Sequence, residues 1–104
     1  MNIQTILEQA VSEHASDVFI VAGLPVSVRK NGVIHQVNEE KLLPSDTESL
    51  LKEIYELADH RDIHIFEENG DDDFAFALTG ISRFRVCAYK QRGALSAVIR
   101  IITF

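Results

Sequence analysis

The chain has 104 residues, 46% of them hydrophobic, and a formal net charge of −6. That length suits one domain with a buried core, and the acidity argues against generic nucleic-acid binding. The single Cys87 excludes an internal disulfide and fits a reducing compartment, while no basic region followed by an apolar run opens the chain and no apolar stretch is long enough to span a bilayer, so a cytoplasmic domain is expected.

Ile3, Ile6, Leu7, Ala10 and Val11 recur at helical spacing, with Asn2 as N-cap and an end near His14-Ala15-Ser16. Asp17-Val18-Phe19-Ile20-Val21 reads as a short strand, and Gly23-Leu24-Pro25 as a turn. Val26, Val28 and Val33 suggest two strands around Asn31-Gly32, a hairpin signal. A second helix follows Pro44, where Ser45 and Glu48 are spaced as a capping box and Leu50, Leu51, Ile54, Tyr55 and Ala58 make a buried stripe. Asp59 to Asn69 reads as a further short helix that carries Ile63 and Phe66 inward and stops at Gly70. From Phe74 the pattern alternates: Phe74, Phe76 and Leu78, a turn at Thr79-Gly80, then Ser82 to Tyr89 and Ala94 to Ile102 joined by Lys90-Gln91-Arg92-Gly93. The order predicts an α+β fold, with a mainly antiparallel sheet and helices packed on one side.

Charge is divided unevenly along this order. Residues 74–104 hold Arg83, Arg85, Lys90, Arg92 and Arg100 and no acid, whereas residues 1–73 hold all sixteen acids. Such a split suggests that the last strands face something negative. With a four-residue loop, Lys90 to Gly93, Tyr89 pairs with Ala94. Phe84, Val86 and Ala88 then face Ile99, Ala97 and Leu95 on an apolar side. On the other side Arg85 lies across from Val98 and Arg83 from Arg100. Three guanidinium groups thus share one face, and like charges across a ladder destabilise it. Asp71, Asp72 and Asp73 are candidates to neutralise them internally. An external anion, a phosphate above others, is the preferred expectation, because guanidinium is always charged and bonds phosphate oxygens through paired N–H groups.

The stretch Arg83-Phe84-Arg85-Val86-Cys87-Ala88-Tyr89-Lys90-Gln91-Arg92-Gly93-Ala94-Leu95-Ser96-Ala97-Val98-Ile99-Arg100 resembles the twitching-motility ATPases that retract type IV pili, within the secretion-ATPase superfamily. Ala15-Ser16-Asp17, Gly23-Leu24-Pro25 with Arg29 and Asn31-Gly32, and Asp73-Phe74-Ala75-Phe76 with Gly80 agree in order. The resemblance implies that residues 1–104 are a single N-terminal, PAS-like domain. A C-terminal RecA-like ATPase domain, absent from this chain, is expected beyond Phe104, because no G-x-x-x-x-G-K-[ST] phosphate cradle occurs in the sequence. It further implies a hexameric ATP-driven motor for type IV pilus retraction and twitching motility. ATP and Mg²⁺ belong to the full-length protein; no cofactor, no catalytic residue and no ATPase activity are expected of this segment alone. Arg85 and Arg100 match the family positions that reach the nucleotide phosphates; Arg83 and Arg92 are further candidates for that anion or for a subunit contact. The implied partners are its own ATPase domain, neighbouring subunits and the pilus machinery of the inner membrane, with a cytoplasmic location peripheral to that membrane and no nucleic acid.

Other features point to less. His60 and His64 lie four apart on the expected helix but lack a third ligand, so no metal site is expected. Cys87 falls on the arginine face, where basic neighbours would lower its pKa, though a small half-buried sheet residue is the simpler reading. The alternative function is a stand-alone PAS-like sensor or protein-interaction module without ATPase activity.

Overall fold

The computed structural model describes residues 2–103. Asn2 caps α1 (Ile3–Ser12), its side-chain oxygen accepting the Thr5 N–H at 3.1 Å. This satisfies one of the amides that a helix start leaves without a partner. Ile3, Leu7 and Ala10 are buried, as the spacing predicts. The strands β1 (Asp17–Ile20), β2 (Ser27–Lys30) and β3 (Val33–Gln36) follow. Asn31 and Gly32 turn the second hairpin strand back at φ 52° and 78°, the two left-handed conformations a tight hairpin needs.

The helix α2 (Pro44–Leu57) begins earlier than expected. Leu43 occupies the N-cap and Pro44 the first helical position, where a missing N–H costs nothing. The Asp46 carboxylate, not Glu48, reaches back to the N-cap amide, accepting the Leu43 N–H at 2.8 Å. Leu50, Leu51, Ile54 and Tyr55 form the buried stripe as predicted, whereas Ala58, expected with them, is the half-buried C-cap beyond the last helical residue. The next helix, α3, spans only His64–Asn69. Asp59 and His60 both adopt positive φ, which breaks the helical path before Arg61, and Gly70 at φ 83° ends the helix where expected.

Three long strands complete the chain: β4 (Asp71–Leu78), β5 (Ser82–Gln91) and β6 (Ala94–Ile102). The single sheet has the order β3-β2-β1-β6-β5-β4, and every neighbouring pair is antiparallel. Its first and last strands therefore meet at the centre. Val18, Ile20, Phe84, Val86, Ala88, Ala97 and Ile99 form the sheet side of the core, which the helices close with Ile3, Leu7, Leu50, Leu51 and Ile54. The α+β expectation, with helices on one side, holds.

The register of the last hairpin differs from the sequence expectation. Arg92 and Gly93 alone form the turn, at φ 52° and 78°, so Gln91 pairs with Ala94. The ladder gains two residues over the assumed four-residue loop. Phe84 now faces Ile101, Val86 faces Ile99, and Ala88 faces Ala97. Because the shift is even, no side chain changes face. The cross-strand partners of the arginines do change.

Candidate functional site

Directly neighbouring positions run across five strands on the sheet face away from the helices. They are Ala75 on β4, Arg85 on β5, Arg100 on β6, Asp17 on β1 and Arg29 on β2. Arg85 is opposite Arg100, not Val98, and Arg83 is opposite Ile102, not Arg100. Two guanidinium groups therefore share one cross-strand pair, an unfavourable arrangement unless a counter-charge lies near. The Arg85 side chain makes no hydrogen bond or ion pair among the described residues. Arg83 projects from the same face one alternation away.

The one carboxylate in this row is Asp17, whose side chain is only 7% exposed. Its Oδ2 accepts the Ser16 hydroxyl at 2.8 Å, and its Oδ1 accepts Arg100 Nε at 3.4 Å. Arg29 approaches from the other side with Nε 3.9 Å from Oδ2, its guanidinium 5.5 Å from the centre of the Phe19 ring. Asp17 thus lies between two arginines, a role that sequence reasoning missed. The signal was present as a charged residue opening a buried apolar strand, yet its partners are 12 and 83 residues away. A groove of about 460 Å³ runs beside it, lined by Asp17, Asp73, Arg85, Cys87, Val98 and Arg100 among others.

Asp73 faces Cys87 in the adjoining row. Cys87 is exposed rather than half-buried. Its thiol pKa is raised, first by partial burial and then by the hydrogen bond and charge of Asp73, the reverse of the lowering expected from basic neighbours.

The other candidate residues lie elsewhere. Arg92 sits in the hairpin turn, seven strand positions from Arg85, or roughly 23 Å at the rise of a β-strand. The structure does not bring it to the row. Of the three aspartates, Asp73 lines the groove with Arg85 but forms no ion pair with it, Asp71 lies opposite Tyr89, and Asp72 points to the helix side. There Asp72 accepts Arg61 Nε at 2.9 Å, the Arg61 terminal nitrogen at 2.8 Å and the Tyr55 hydroxyl at 2.8 Å, while Arg61 stacks over Phe74 at 4.8 Å. The Arg61 fork holds the Asp72 carboxyl below its ordinary value despite burial. Burial first, and then Asp72, pushes the Tyr55 phenol well up. His60 and His64 are exposed and pair with Glu56 and Asp62, and no group of three metal-ligating side chains occurs among the described residues.

No family model matches the sequence. Over 102 residues it is 35% identical to the type IV pilus ATPase PilU and 33% identical to the type IV pilus retraction ATPase PilT, both of Pseudomonas aeruginosa. These alignments take in 98% of this chain but 26% and 29% of the two relatives, so the chain spans between a quarter and a third of their length. Among solved structures, the pilus retraction motor PilT with bound ADP superposes with a TM-score of 0.81 at 32% identity, over 96% of this chain and 29% of that one. The ATPase DotB of Legionella pneumophila gives 0.76 at 22% identity, over 98% of this chain and 29% of that one, a likeness of fold alone.

Proposed function

On the premise that this chain is the N-terminal domain of a PilT-like secretion ATPase, we propose that it serves in a hexameric type IV pilus retraction motor. There Arg85 and Arg100 meet the nucleotide phosphates held by a RecA-like domain of the same polypeptide. The observation that carries this reading is Arg85 itself. It faces Arg100 across the ladder, and its side chain makes no hydrogen bond or ion pair among the described residues. A phosphate chain supplies the partner that Arg85 lacks. The stand-alone sensor reading finds no support among the relatives.

The residues present fit the phosphate end of a nucleotide and nothing more. The sequence contains no G-x-x-x-x-G-K-[ST] segment, so the cradle and the Mg²⁺-binding hydroxyl belong to the second domain. Bound there, ATP with Mg²⁺ would supply the phosphoryl group and its leaving group. Arg85 and Arg100 would donate N–H groups to phosphoryl oxygens whose charge grows in the transition state. The same contact would draw the two domains together when phosphates are present and release them afterwards, which links nucleotide state to domain closure. Arg83 extends the basic face beside Arg85. Arg92, at the far tip of the hairpin, suits a contact with a neighbouring subunit. The motor would work in the cytoplasm, held at the inner membrane by the pilus machinery. No helix among the described residues is long and apolar enough to cross a membrane.

The test uses the complete ATPase that carries this domain. Arg85→Ala and Arg100→Ala are each expected to lower ATP turnover by about 100-fold or more while circular dichroism and melting stay close to wild type. Unchanged turnover in both variants would remove the phosphate role. The coding sequence beyond Phe104 is expected to contain the missing phosphate-cradle motif, and a stop codon there would remove the motor itself.

A further inference from the structure

The Asp17 side chain is 7% exposed, yet the Arg100 side chain that it holds is 70% exposed. A buried carboxylate usually takes an arginine through two parallel N–H groups, as Asp72 takes Nε and one terminal nitrogen of Arg61. Asp17 does something else. It accepts only Nε of Arg100, at 3.4 Å, and the two terminal nitrogens of that guanidinium make no hydrogen bond among the described residues. Ser16 fixes the carboxylate from the other oxygen at 2.8 Å. Arg29 stands on the far side, its buried Nε lacking a hydrogen-bond partner and 3.9 Å from Asp17 Oδ2. The carboxylate is thus anchored and flanked, while the outer edge of Arg100 is left bare beside Arg85.

We propose that Asp17 is the positioning residue of the arginine row: it grips Arg100 by the Nε edge so that both terminal nitrogens face an incoming phosphoryl group. Nε restraint fixes the plane of the guanidinium, and a fixed plane is what two parallel N–H bonds to phosphate oxygens require. The ordering of a long side chain is then complete before the anion arrives. This inference rests on the phosphate reading of the row. It adds a residue that touches no phosphate and acts through Arg100. It also predicts that the charge of residue 17 is insufficient without its reach.

Two measurements test it. In this chain, exchange of the Arg100 Nε–H with solvent is read by NMR against Arg85 Nε–H as an internal reference, since Arg85 has no partner among the described residues. Exchange about tenfold slower at Arg100 is expected. In the complete ATPase, Asp17→Glu keeps the charge but displaces it by one methylene. It is expected to lower kcat about fivefold with little change in KM, and to have no further effect in an Arg100→Gln background. Full turnover in Asp17→Glu beside an impaired Arg100→Gln would overturn the positioning role and leave the phosphate reading standing. An equal loss in both backgrounds would overturn it too, because the effect would not pass through Arg100. Full turnover in Arg100→Gln would end the phosphate reading and this inference with it. Should Asp17→Glu not fold, the exchange measurement decides alone: Arg100 exchanging as fast as Arg85 sinks the proposal.

Discussion

Asp72 and Asp17 each sit on a strand, each with a side chain 7% exposed, and each faces arginine. On the helix side of the sheet Asp72 takes both donors of the Arg61 fork and the Tyr55 hydroxyl, and Phe74 lies under the guanidinium. On the open side Asp17 takes a single Nε from Arg100 and leaves a second arginine at 3.9 Å. Equal burial of the carboxylate therefore coexists with opposite treatment of the cation. Arg61 is 31% exposed and bonded through two of its nitrogens, whereas Arg100 is 70% exposed and held by Nε alone. The contrast separates a site closed upon itself, which holds α2, the chain after it and β4 together, from one open to a partner. A buried carboxylate does not by itself mark structure or function; the unused donors of its partner do.

The contrast is sharpest in stability. Asp72→Ala strands the Arg61 guanidinium and the Tyr55 hydroxyl in a mostly buried place, and should cost about 3 kcal/mol in urea unfolding. The same site predicts a pH response. The folded carboxyl of Asp72 lies below its unfolded value, so its contribution is fully present above about pH 4 and is lost as pH falls through the lower folded value. Wild type should therefore lose more stability than Asp72→Asn between pH 5 and pH 2, and parallel curves would refute the assignment. Asp17→Asn should cost less, about 1 kcal/mol, because one good hydrogen bond from Ser16 and one long one from Arg100 are at stake. A cost equal to that of Asp72→Ala would erase the distinction between the two sites. Smallest of all, Arg85→Gln should change stability by no more than about 0.5 kcal/mol, in the stabilising direction at low salt, since it removes a like-charge pair. A large loss would show that Arg85 has a structural partner after all.

Much of this was legible from residue order. The alternation through Phe84, Val86 and Ala88 placed Arg83 and Arg85 on one side of a strand, and the two-residue period made that robust to an error in loop length. Asn31-Gly32 was legible because its turn is a local φ requirement. Arginine seldom adopts positive φ, so residue order does not mark Arg92-Gly93 as a two-residue turn, and the true register with its Arg85–Arg100 pair is not legible from it. The capping box was displaced because Pro44 fits the first helical position and leaves Asp46 to reach Leu43.

The sequence alone determined which residues share a strand face and that residues 74–104 carry arginines and no acid, since both are read directly along the chain. Only the tertiary structure decided that β1 enters the sheet beside β6, which sets Asp17 against Arg100 across 83 positions of chain. Strand order is fixed by which apolar faces the helices cover and by closure of long loops, quantities that no local pattern encodes. For the same reason, a row of arginines could be read from the sequence, but the carboxylate that orients it could not.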